Sequence, residues 1–208
     1  MATAEIEMVL NAGILVCLLI TASTIILVAD WRITLFALIV QYLVLAFFLS
    51  RLLLPAVATV RMVSGGLVGL ILLLTVRGLP RDASTVPPRL LAPSVGFRLL
   101  VILLATIAIL SLTSSTTFLG LPAHVLFGSI WLMIAGLLAA MLAHEAMPFG
   151  LGILAFTAGF SLLETAIEGS LFLYGLLNIA DLLIALVVAH LATLPPEVEG
   201  GRRGGESA

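Results

Sequence analysis

Uninterrupted apolar runs about twenty residues long recur along this chain, and nothing else in it constrains the fold as strongly. A bilayer core about 30 Å thick takes roughly 20 helical residues per crossing. Seven crossings of about 22 residues would use roughly 154 of the 208 positions and leave the rest for loops and tails. Composition agrees with that arithmetic. Apolar residue types make up 62% of the chain and charged ones 10%, with a mean hydropathy of +1.31. A soluble domain is about 45–50% apolar and about 25% charged. A soluble enzyme, a nucleic-acid binder and a disulfide-stapled secreted domain are excluded. The net charge is −2, and the single cysteine, Cys17, lies inside an apolar run.

Polar, proline and glycine breaks divide the runs into seven predicted helices: about Ile6 to Val28, Ile33 to Leu54, Val57 to Val76, Phe97 to Leu112, Ala123 to His144, Met147 to Glu164 and Ser170 to Leu194. Glu5 and Glu7 precede the first run where a signal peptide would carry positive charge, so this run is expected to be a retained helix. The only long polar connection in the body of the chain is RDASTVPPRLLAPSVG, between helices three and four. Pro195-Pro196 ends the seventh helix, and EVEGGRRGGESA reads as a disordered tail. The expected fold is an all-α, polytopic transmembrane bundle, with a single domain over 1–194 and a cytoplasmic tail over 195–208.

Orientation follows from arginine placement, because basic loops stay cytoplasmic. Arg32, Arg77, Arg81, Arg89, Arg98, Arg202 and Arg203 fall on one side, and only Arg51 and Arg61 on the other. The N-terminus is expected outside and the C-terminus inside, in a bacterial plasma membrane. Arg61 is expected to snorkel to the outer interface. Small residues four apart predict close helix approach at Gly65 and Gly69, Gly136 and Ala140, and Ala155 and Gly159.

Intramembrane charge is costly, about 2.5–3.5 kcal/mol at a helix centre on insertion scales, so the polar groups that remain at depth are the informative ones. Asp181 lies near the middle of helix seven, and Asn178 and Tyr174 share its face. Low dielectric disfavours a lone carboxylate, so this acid should take up and release a proton near neutral pH. A carboxylic acid that only packs, or pairs with Asn178, would show the same pattern. Helix six carries Thr157, Ser161, Glu164 and Glu168 on one face, stepping from mid-depth to the outer interface. Glu164 and Glu168 would also suit a solvated helix end. Gln41 lies midway along helix two, where an interhelical hydrogen bond is the ordinary role. His144 and His190 fall at similar depth and could ligate a haem iron. No metal site, nucleotide loop or nucleophile motif is present, and AHEAMP at 143–148 is not HExxH.

Two stretches carry a family resemblance. NAGILVCLLITASTIILVADWRITLFALIVQYLVLAFFL, residues 11–49, resembles the N-terminal helix pair of the E-type membrane subunit of hydrogenase-four and formate-hydrogenlyase-like complexes, with Arg32 at the turn and Gln41 in the second helix. FGLGILAFTAGFSLLETAIEGSLFLYGLLNIADLLIALVVAHL, residues 149–191, resembles that family's last two helices, which are similar to subunit K of complex I and the C subunit of multisubunit sodium/proton antiporters. The resemblance implies a non-catalytic, cofactor-free subunit beside antiporter-like partners, in the membrane arm of a redox-driven proton- or ion-translocating complex. Asp181 falls where the last helix of that pattern has its acid. The family's preceding-helix glutamate reads Thr157 here, and its third-helix lysine falls in VSGGLVG, residues 63–69, which holds none. The proton-path candidates are Asp181, Glu164, Tyr174, Asn178, Thr157 and Gln41: either Glu164 takes over part of the relay, and Asp181→Asn should impair translocation while leaving assembly intact, or the subunit has lost conduction and is a structural spacer. The alternatives are a haem-b membrane anchor using His144 and His190, and a small stand-alone transporter, for which Gly150 and Gly152 are the only hint of a broken helix.

Overall fold

The computed structural model describes residues 2–28, 30–52, 55–78, 95–115 and 121–194. The expected disordered tail, 195–208, and most of the arginine-rich connection, including Arg81 and Arg89, lie outside those residues. The described chain is all-helical: α1 (Ala2–Leu27), α2 (Trp31–Leu52), α3 (Pro55–Gly78), α4 (Val95–Ser115), α5 (Ala123–Leu142), α6 (Ala146–Ile167) and α7 (Leu171–Thr193). Each is long and apolar enough to cross a membrane. In lipid a helix satisfies its own backbone hydrogen bonds, which is why such runs become helices whatever their residue propensities.

Local chemistry places the breaks. Asp30 accepts from the Arg32 N–H at 3.0 Å and caps α2. Pro55 opens α3, where its missing N–H costs nothing. Gly169 adopts φ 60° after α6, the one position where the α6–α7 turn needs a left-handed residue, and the Ser170 side chain then accepts from the Leu173 N–H.

The helices form two layers. α1, α2 and α3 lie side by side, as do α5, α6 and α7, and the layers meet as α1 on α5, α2 on α6 and α3 on α7. α4 packs on the outside, against α5 and the edge of α1, with the Arg98 guanidinium donating to the Ile26 carbonyl at 2.9 Å. The tightest seam is α5–α6. A Cβ added at Gly159 would stand 2.7 Å from Met133 N and 2.8 Å from Ser129 O, and one at Gly152 would stand 2.8 Å from Gly136 O. Gly136 and Gly159 therefore do mark a close approach, as their spacing suggests. α6 runs unbroken through Gly150 and Gly152, which corrects the expected hint of an unwound helix: both glycines serve packing, Gly150 against Val188 and Gly152 against Ala140. In α3, Cβ atoms at Gly65 and Gly69 would each come within 2.9 Å of α2 side chains, Tyr42 and Ile39 respectively. That approach draws α2 and α3 together around the polar centre.

Candidate functional site: a buried ion pair at mid-membrane

Asp181 is ten residues into α7, about 15 Å from its start, close to the middle of a bilayer core. It is 1% exposed and is not a lone acid. Arg61 Nη1 donates to its Oδ2 at 2.7 Å, and the Tyr42 hydroxyl donates to the same oxygen at 3.1 Å. Thr157 donates to Oδ1 at 2.6 Å. One carboxylate thus gathers donors from α2, α3 and α6. Asn178, one turn from Asp181 on the same face of α7, joins the cluster through Oδ1, which accepts from Ser64 at 2.6 Å and from Arg61 Nη1 at 3.3 Å. Its amide nitrogen donates to the Tyr174 carbonyl at 2.8 Å, which fixes the direction of the amide.

Arg61 corrects the sequence-based expectation. Instead of snorkelling to an interface it turns inward and is 0% exposed, with its Cζ 4.6 Å from the centre of the Tyr42 ring. The reason is register on α3: Arg61 sits three and four residues before Ser64 and Gly65, on the face that packs against α2 and α7. An arginine on that face cannot reach lipid headgroups. The arginine count that gives the orientation therefore loses Arg61 from its outer side. The pair as a whole carries no net charge, which lowers the cost of holding it at depth.

The remaining candidates divide. Tyr174 is buried one turn before Asn178 on the same face of α7. Glu164 is buried near the end of α6, where Oε2 accepts weakly from Thr165 at 3.5 Å and Oε1 has no partner among the described residues. Glu168 is exposed just beyond the helix. Ser161 is buried with no hydrogen-bond partner among the described residues. Gln41 is also buried, and neither of its amide atoms finds the expected interhelical hydrogen bond among the described residues.

His144 and His190 are both exposed, the former in the short α5–α6 connection rather than on α5. Among the described residues no group of three or more His, Cys, Asp or Glu side chains is placed to hold a metal ion. Arg61, Tyr42 and Ser64 are the site residues that sequence reasoning missed. No family model, no curated protein and no solved structure matches the chain.

Proposed function

We propose that this protein is an accessory integral-membrane subunit of a redox-driven, proton- or ion-translocating complex of the complex-I-like or hydrogenase type, and that the Arg61–Asp181 pair is the charged element of its polar axis. It works beside antiporter-like subunits in a bacterial plasma membrane and catalyses no reaction alone. The observation that carries this reading is a fully buried ion pair at mid-membrane, joined to four helices by hydrogen bonds. Intramembrane ionisable groups of this kind typically mark ion pathways.

Two further features support it. The stretches that bear the family resemblance, 11–49 and 149–191, meet at the site: Tyr42 from the first donates to Asp181 in the second. The cation missing from VSGGLVG has a counterpart two residues upstream in Arg61, and the position expected to hold a glutamate, Thr157, donates to Asp181 instead. In use, a proton arriving at Asp181 would neutralise it and leave the guanidinium without a counter-charge. That favours either release of the proton or a shift of Arg61 toward another acceptor, and this is how a buried pair couples protonation to movement.

The pairing changes the test. Asp181→Asn alone would leave a buried guanidinium uncompensated, so lost activity could mean lost fold. The double variant Arg61→Met/Asp181→Leu removes both charges together. In the assembled complex it should incorporate normally and fail to translocate protons. Normal pumping by the double variant would make the pair a structural clamp. The haem-anchor reading has no comparable support, since both histidines face away from the core.

A further inference from the structure

Besides both amide atoms of Gln41, four buried polar atoms on Arg61 and on the Thr157 face of α6 have no hydrogen-bond partner among the described residues: Arg61 Nε and Nη2, Ser161 Oγ and Glu164 Oε1. Nε and Nη2 form the edge of a guanidinium that binds two acceptors side by side. Here that edge is buried with no partner among the described residues, while Nη1 holds Asp181 and Asn178. Leaving such donors unsatisfied in a low-dielectric interior costs about 1–3 kcal/mol each, more for a charged group, so these atoms call for an acceptor.

Their placement is one-sided. Thr157, Ser161 and Glu164 step along one face of α6 toward the end of the bundle that carries the N-terminus, and exposed Glu168 stands at that surface. Tyr174 lies one turn from Asn178 in the same direction and is 4% exposed. In the opposite direction the character changes at once. Leu38, Val68, Leu72, Leu154 and Ala185 lie within about three turns of the pair toward the C-terminal end, and each is 0% exposed. Further along, Gly150 packs so closely on Val188 that a Cβ would overlap it.

We infer that the N-terminal half of the bundle holds a file of water molecules leading from Glu168 past Glu164 and Ser161 to the free edge of Arg61, and that the C-terminal half is a dry apolar seal. Water suits the unpartnered guanidinium, hydroxyl and carboxylate atoms on the N-terminal side, whereas the aliphatic side chains on the other side offer it no partner. The pair is then open to protons from one face only, and any onward passage requires the seal to move. Hydration of the site and translocation through it are separate properties, so this inference and the functional reading can fail independently.

The test reads water access at two positions of equal burial, each one turn from the pair. In a Cys17→Ser background, Ser161→Cys places a thiol on the N-terminal side of Thr157, and Ala185→Cys places one on the C-terminal side of Asp181. Their wild-type residues are 1% and 0% exposed, so burial alone predicts the same slow exchange for both. The S–H stretching band of each variant in proteoliposomes is followed by infrared spectroscopy after transfer to deuterium oxide. The S–H of Ser161→Cys should convert to S–D at least about ten-fold faster than that of Ala185→Cys. Equal rates, or faster exchange at position 185, would overturn the inference. Thr165→Cys and Ala189→Cys give a second pair if either variant fails to run as a monodisperse protein.

Discussion

Removing one member of a buried ion pair should cost far more than removing both, and here the two single variants should also differ from each other. Arg61→Met leaves Asp181 with two hydroxyl donors, from Tyr42 and Thr157. It also leaves an acid that can neutralise itself by taking up a proton. Asp181→Leu leaves a guanidinium that stays charged under all usable conditions, with no protein partner for Nε and Nη2 among the described residues and only Asn178 left on Nη1. Breaking a buried pair typically costs about 3–5 kcal/mol. Arg61→Met should therefore fall near about 3 kcal/mol and Asp181→Leu near about 5 kcal/mol. The double variant exposes no lone charge. Its main loss is the orphaned Tyr42 hydroxyl, about 1–3 kcal/mol, because the single Thr157 hydroxyl proton can turn from Asp181 to the Leu154 carbonyl 3.0 Å away. Reversible unfolding of the four proteins in mixed micelles closes the double-mutant cycle and should give a coupling energy of at least about 3 kcal/mol. Additive single effects, or an Arg61→Met loss as large as that of Asp181→Leu, would refute the reasoning.

Four smaller predictions follow from the hydrogen bonds of the site and from the packing of the glycines. Tyr42→Phe removes a hydroxyl that donates to a charged oxygen but keeps the ring beside the guanidinium, so it should cost about 1.5–3 kcal/mol in the same assay. Gly159→Ala should lower the melting temperature by forcing α5 and α6 apart, at about 1–3 kcal/mol. Gly66→Ala, where an added Cβ meets nothing within 4 Å, should be neutral or stabilise by up to about 1 kcal/mol. Ser64→Ala takes away the shortest bond to Asn178 and should cost about 1–2 kcal/mol, with little effect on how the helices pack elsewhere.

The seven spans were legible because a run of twenty apolar residues has few other ways to fold, and the predicted ends agree with the observed helices to within a few residues. α5 is an instructive miss. It stops at Leu142 rather than His144, because the chain turns extended at Ala143 ahead of α6. On α7 the grouping of Tyr174, Asn178 and Asp181 could be read directly, since helical period alone puts them on one face and all three are buried. What could not be read was which residues from other helices meet that face. Inter-helix register leaves no mark in the period of any single helix, so Arg61 looked like a residue near a helix end and Tyr42 like an aromatic in an apolar run. A signal for Arg61 did exist. It shares its face with Ser64, Gly65 and Val68, and a face of small residues is one that packs, not one that meets lipid.

The account stands on the contact between Arg61 and Asp181 in the bilayer, which solid-state NMR can measure directly. Dipolar recoupling between guanidinium nitrogen-15 and Asp181 carboxyl carbon-13 in lipid vesicles reads that separation, with Arg61→Met as the blank. The predicted result is strong dephasing from a hydrogen-bonded pair, with Nη1 2.7 Å from Oδ2, that vanishes in the blank. A dephasing curve identical in the two proteins would contradict it, because the guanidinium would then lie beyond hydrogen-bond reach of the acid, more than about 3.5 Å away.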